Sequence, residues 1–291
     1  MALNIEPITP ALGAFVRIRA EDVIADGVPG QLLDALNRYN VLIFPQINMS
    51  DEIFLQLTAA MGEKHENTVT ADGSAASNKG IFRIALDKDN KTQREFILGN
   101  DYWHIDGMSY SVPVKATLLK CEKAPKEGGD TGFASLHAAY DALPEEKKQK
   151  LAGLKVGHCL SASLRRLYER PSQEDFDRWD AVFPRLEHPL VWQQENGKSA
   201  LLIGSTANDI AGMGEEESRA LLDELLAWAT QDRFTYRHKW HDGDLVIFNN
   251  PGLLHRSYPY DEAAGRVMHR TTLKGTEAIS ASPGMSAALG Y

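Results

Sequence analysis

The chain has 291 residues, 43% of them hydrophobic and 24% charged, an ordinary globular balance that is long enough to bury a sizeable core. Its formal net charge of −9 argues against nucleic acid as a main partner, and no apolar run reaches the length of a membrane span. Only two cysteines occur, Cys121 and Cys159, both in apolar surroundings, which speaks against a disulfide framework and for reduced, buried thiols.

The N-terminus has neither a basic region nor a long apolar core, so no secretory leader is expected and the location read from sequence is cytoplasmic. Residues 30–40 carry Leu32, Leu33 and Leu36 at helical spacing. Val41-Leu42-Ile43-Phe44, closed by Pro45, reads as a buried strand. Ser50 caps a second helix with Asp51 and Glu52 in its first turn, ending near Gly62. Residues 65–79 are small and polar and read as a mobile loop, a first lid candidate. A strand at 81–86 and a turn at 87–91 follow. Tyr102-Trp103-His104-Ile105-Asp106 reads as a strand, as does 114–119. Gly128-Gly129 turns the chain into another strand at Thr131. Residues 136–151 form two helices, with Pro144 near the start of the second. Residues 161–185, with Arg165, Arg166, Arg170, Arg178 and Trp179, are mixed and read as an insertion and second lid candidate. Strands at 190–192 and 201–203 flank the turn Asn196-Gly197, and 215–230 is the clearest helix. Strands at 234–238, 243–248 and 266–273 precede a small-residue tail, 276–291, expected to fray.

There is no internal repeat and no Pro-rich linker, so the chain reads as one domain over 1–291 with its core at about 41–273. Many short strands with helices mostly outside them predict an α+β fold with a mainly β core, a barrel or sandwich with helices on one side. A doubly wound sheet would need regular strand–helix alternation, which is missing.

On an extended strand His104 and Asp106 point the same way. A neutral imidazole and a carboxylate side by side make two thirds of a metal site, and the best third ligand is His255, 151 residues on (255 − 104), presented by a Gly-containing loop after a buried strand. Two histidines and one carboxylate leave the opposite metal positions open, the facial triad of non-haem Fe(II) oxygenases. His238 and His241 flank a turn and read as surface residues. On the last strand Arg266, Met268, Arg270 and Thr272 share a face, and His269 takes the other, as a structural residue. Two guanidiniums on one face each need an anion or solvent; the functional reading is that one clamps a dicarboxylate co-substrate bidentately.

In order, Trp103-His104-Ile105-Asp106, Gly128-Gly129-Asp130-Thr131, Gly243-Asp244-Leu245-Val246 leading to His255, and then Arg266 resemble the TauD/TfdA family of Fe(II)- and 2-oxoglutarate-dependent dioxygenases. The stretch 138–144 and Leu202-Ile203-Gly204 lean towards its 2,4-D-cleaving members. The resemblance runs from about Val41 to Leu273 and implies a double-stranded β-helix (jelly roll, cupin-like) with flanking helices. It implies Fe(II) on His104, Asp106 and His255, with 2-oxoglutarate and O2 as co-substrates. Thr131 and Arg266 match the positions that hold the distal carboxylate of 2-oxoglutarate, and Asn100 and Arg270 match substrate-contacting positions. The implied reaction hydroxylates a small organic carboxylate or sulfonate, with C–O, C–N or C–S cleavage when the carbon bears a heteroatom, and releases succinate and CO2. Asp106 stands where halogenating members have a small residue, so oxygenation is expected. Three positions depart from the pattern: Asn249-Asn250 replaces Asp-Asn, Tyr102 replaces a smaller polar residue, and residues 11–25 lack the usual opening. From the residues alone a zinc hydrolase on the same three ligands, or a non-enzymatic jelly-roll binding protein, also stays open. So does the oligomeric state, a homo-oligomer included.

Overall fold

The computed structural model describes residues 3–65, 77–78, 80–86 and 94–280. Most of the first lid candidate (65–79), the turn at 87–91 and the tail beyond 280 lie outside the described residues. The fold is mixed α/β around a large sheet. Its eight strands run, edge to edge, Asn4–Pro7, Ala14–Arg17, Val41–Phe44, Leu245–Asn249, Ala116–Lys123, Val267–Leu273, Ile81–Ile84 and Ser77–Asn78. Among the described residues only the contact between Ala14–Arg17 and Val41–Phe44 is parallel.

Why the central strands are continuously apolar follows from what covers them. Leu42, Phe44, Leu118, Leu245 and Ile247 face one cluster, which the helices Val28–Tyr39 and Asp51–Met61 complete with Leu32, Leu36, Phe54 and Leu57. Their neighbours Val41, Ile43, Leu119, Val246 and Phe248 face the opposite cluster with Phe133 and Leu253. A strand with both faces buried has no polar side to alternate with. Phe133 and Leu253 belong to a smaller antiparallel sheet, Thr235–His238, Thr131–Ser135 and Leu253–Ser257. A further sheet (Ala207–Ile210, Lys155–His158, Leu186–Pro189) and the hairpin Val191–Gln193/Ser199–Leu201 pack with the helix Glu215–Ala229 in a third cluster.

Local signals read from sequence recur in the coordinates. Ser50 caps its helix by accepting from the Ile53 amide, and Gly62 ends it. Pro144 stands at the N-cap of Glu145–Leu151. Residues 161–185, read as mixed, hold the helices Leu160–Leu164 and Gln173–Val182, the second opened by a capping box between Ser172 and Asp175. Both cysteines are free and buried. Among the described residues no helix is long and apolar enough to cross a membrane.

Two readings need correction. The His-x-Asp segment is not a strand: His104 forms a one-residue bridge to His255, and Asp106 already belongs to a turn. The tight turn at Gly107 (φ +86), where a Cβ would lie 2.8 Å from the Val114 amide nitrogen, stops any strand there. His238 is not at the surface but 5% exposed, its Nε2 3.1 Å from Asp244 Oδ2. His241 is exposed, as expected.

Candidate active site

The bridge that replaces the expected strand brings the first two ligand candidates together. His104 N–H donates to His255 O at 3.0 Å and His255 N–H donates back at 2.9 Å, so two segments far apart in sequence are locked side by side. Gly204 permits this approach: a Cβ there would sit 2.9 Å from Trp103 O and 3.2 Å from His104 Cα. The imidazole centroids are 4.1 Å apart. Asp106 Oδ1 lies 3.7 Å from His104 Nε2, and Oδ2 lies 3.8 Å from His255 Nε2. One donor atom from each residue falls within 4.8 Å of the other two, which is the spread a single ion can bridge.

The protonation states suit a cation. His104 Nδ1–H donates to Tyr102 O at 2.8 Å, which leaves the lone pair on Nε2, facing Asp106. Burial pushes the His104 imidazolium pKa down. Burial and the facing His104 drop His255 to about 3. Burial alone would raise Asp106, but the two rings, Arg270 and the Thr117 hydroxyl outweigh it and hold the carboxyl at about 2. Two neutral imidazoles and one carboxylate are therefore present at neutral pH. Thr117 donates to Asp106 Oδ2 at 3.3 Å and accepts from Asn250 Nδ2 at 3.0 Å, so the second residue of Asn249-Asn250 supports the carboxylate through one hydroxyl.

Two cavities meet at His104, Asn100, Ile84, Ile97 and Arg270. The smaller also reaches His255, Thr131 and Arg266. Arg266 is 5% exposed, with its Nε unpartnered and no carboxylate within ion-pair distance among the described residues. Its guanidinium stands 5.4 Å from the Tyr260 ring centroid, and burial lowers its pKa. The parity read along the last strand survives, because the register irregularity beside Val267/Met268 is a residue skipped on the partner strand, between Lys123 and Cys121.

The larger cavity is walled by Phe82, Phe96, Met108, Leu164 and Phe183, with Asn100 and Arg270 near the triad. Asn100 arrives there by a route sequence did not show, at the end of the short helix Arg94–Gly99 rather than on a strand. Arg270 lies over the Phe82 ring at 5.2 Å, with Nη1 3.7 Å from Asp106 Oδ2. Trp103 packs against the third core cluster, away from the cavity. His269 turns to the other face and bonds Asp51 Oδ1 at 2.9 Å. The contributions of Leu164 and Phe183, from the segment 161–185, carry no sequence signal: apolar side chains form no motif, and only the segment's place in the fold reveals them.

Comparison with known proteins agrees with the order of the motifs. A sequence model described as "Taurine catabolism dioxygenase TauD, TfdA family" matches residues 4–272. The chain is 31% identical to an (S)-phenoxypropionate/alpha-ketoglutarate-dioxygenase of Sphingobium herbicidovorans, over 95% of this chain and 96% of that one. It is 37% identical to an alpha-ketoglutarate-dependent 2,4-dichlorophenoxyacetate dioxygenase of Cupriavidus pinatubonensis, over 66% and 68%. Among solved structures, AAD-2 in complex with Mn(II) and N-oxalylglycine superposes with a TM-score of 0.80 at 28% identity, covering 96% of this chain and all of that one. These relatives give no support to the zinc hydrolase or the binding protein.

Proposed function

Starting from the fact that this chain belongs to the TauD/TfdA family and is an Fe(II)- and 2-oxoglutarate-dependent dioxygenase, we propose how its residues divide the work and what kind of substrate it takes. The observation that carries the proposal is the junction of two cavities at a His104/Asp106/His255 cluster, with a buried arginine lacking a carboxylate in one and a second arginine in the other. The fold fits a double-stranded β-helix in one domain: the eight-stranded sheet and the sheet Thr235–His238/Thr131–Ser135/Leu253–Ser257 face each other across the second cluster, with the triad at its edge.

His104, Asp106 and His255 hold Fe(II). Bound there, the iron supplies O2 activation that couples decarboxylation of 2-oxoglutarate, to succinate and CO2, with hydroxylation of a substrate C–H bond. Arg266 meets the distal carboxylate with a charge-assisted pair, and the Thr131 hydroxyl adds a hydrogen bond. Arg270 binds the acid group of the substrate, and Asn100 lies near its reacting end. The aromatic and aliphatic walls around them take an apolar body and keep water out. The substrate class is a small organic carboxylate or sulfonate with an apolar or aromatic body, in line with the phenoxy acids named for the relatives. The free, buried thiols are in keeping with a cytoplasmic site of action.

The test compares aryloxy acids with their neutral amides in wild type and in Arg270→Ala, read by succinate release with Fe(II), ascorbate and 2-oxoglutarate. Acids are expected to be turned over, amides poorly, and the variant should lose kcat/KM for acids selectively. Equal use of acid and amide by wild type, with no effect of the substitution, would remove Arg270 from this role.

A further inference from the structure

Thr131 has a partner that fixes which way its hydroxyl proton points. Trp240 Nε1 lies 2.9 Å from Thr131 Oγ1, and both residues are buried, at 3% and 4% exposure. An indole N–H can only donate, whereas a hydroxyl has one proton and two lone pairs. At this contact Thr131 must therefore accept, and its proton is sent elsewhere. No protein acceptor for it occurs among the described residues, and Thr131 lines the smaller cavity together with Arg266.

Trp240 is itself held rigidly. The His238 ring stands edge-on to it, 4.6 Å away and at 83°. His238 Nε2 is 3.1 Å from Asp244 Oδ2, and Asp244, 1% exposed, also accepts from the Gln46 amide at 2.8 Å and the His241 amide at 2.9 Å. Trp240 does not line the cavity.

We infer that Trp240 is a positioning residue for co-substrate binding: by occupying one lone pair of Thr131 it aims the hydroxyl proton at the distal carboxylate of 2-oxoglutarate. The inference rests on the placement of 2-oxoglutarate at Thr131 and Arg266. A freely rotating hydroxyl is a weaker donor to a fixed anion than one already oriented, because orienting it costs entropy at binding. The effect belongs to the distal carboxylate alone. A 2-oxo acid that chelates the metal but lacks that group is indifferent to Trp240.

The experiment measures binding calorimetrically to Zn(II)-loaded protein, with 2-oxoglutarate and with 2-oxopentanoate, in wild type, Trp240→Phe, Thr131→Val and the double variant. Trp240→Phe should weaken 2-oxoglutarate roughly five- to tenfold, about one oriented hydrogen bond, and leave 2-oxopentanoate unchanged. In the double variant Trp240→Phe should add nothing to the loss from Thr131→Val. With Fe(II) the loss should appear in KM for 2-oxoglutarate and not in kcat. In wild type, needing no substitution to fold, the indole N–H resonance of Trp240 should shift on adding 2-oxoglutarate and stay in place with 2-oxopentanoate. If Thr131→Val weakens 2-oxoglutarate and Trp240→Phe does not, or if Trp240→Phe weakens both ligands alike, the inference is overturned while the placement of the co-substrate stands. If wild type binds both ligands equally, the placement fails and takes the inference with it.

Discussion

At 5% exposure and with no carboxylate within reach among the described residues, the Arg266 guanidinium is costly to the ligand-free protein. Replacing it with methionine keeps the bulk and removes the charge. Arg266→Met should melt at a higher temperature than wild type without ligand, yet raise the 2-oxoglutarate requirement by about one to three orders of magnitude, since losing one partner of a desolvated pair costs about 2–5 kcal/mol. Thermal melts and ligand titrations of the same preparation check both halves; an unchanged 2-oxoglutarate requirement would remove Arg266 from the co-substrate site. At this scale the sequence named His104, Asp106, Thr131, His255 and Arg266, which the fold brings to the two cavities. It did not reveal those that support them. Trp240 meets Thr131 across 109 residues, and Asn250 meets Thr117 across 133. A hydrogen bond between distant side chains leaves no periodicity to read.

Among the elements, the least regular one matters most to the triad. The segment at His104 holds its place through one bridge, through the Ser205 amide donating to Trp103 O at 2.7 Å, and through the close approach of Gly204, whose φ is +120. Gly204→Ala would put a Cβ against the Trp103 carbonyl and the His104 backbone in a conformation L residues avoid, at a cost of about 1–3 kcal/mol. Gly197 also has positive φ (+80), but its Cβ would meet open space in the hairpin turn. Gly204→Ala should lower both the melting temperature and the affinity for Fe(II) or Mn(II), whereas Gly197→Ala should lower only the melting temperature. Equal metal affinity in the two variants would dissociate Gly204 from the site. The strands at 41–44 and 245–249 were legible because burial on both faces writes a continuous apolar run. The segment at 102–106 was misread as a strand because alternation over five residues does not distinguish a ladder from one bridge.

For the molecule as a whole, buried histidines set the response to acid. His137 is held near 4 and His158 near 3, in both cases chiefly by burial, and His188 is shifted in the same direction. Unfolded, each binds a proton near 6.5; folded, each refuses it until far lower pH, so the unfolded state binds more protons and stability falls as pH drops below about 6.5. For His137 and His158 together the loss between pH 7.5 and 5.5 is about 3 kcal/mol. Urea unfolding of the metal-free protein at the two pH values should show a loss of at least that size, since His255, held at about 3, adds to it, and equal stabilities would contradict these protonation states. Composition and element order led to an α+β fold with a mainly β core, and the mixture of helices and strands around a large sheet was legible to that extent. The strand order within the large sheet was not, because neighbours such as Val41–Phe44 and Leu245–Asn249 pair across some 200 residues, and nothing local encodes the partner.

Arg270 touches both cavities and stands 3.7 Å from Asp106. Its charge is therefore shared between a carboxylate of the protein and whatever anion enters the larger cavity. When a metal ion takes over Asp106, the guanidinium loses a competitor for the incoming acid. Under the proposed roles of Asp106 and Arg270, metal and an acidic substrate favour one another's binding by the same factor in either direction, as thermodynamic reciprocity requires. On those roles a chain without metal is expected to be a poor trap for an acidic substrate, so that substrate is not sequestered by enzyme that has no means of oxidising it.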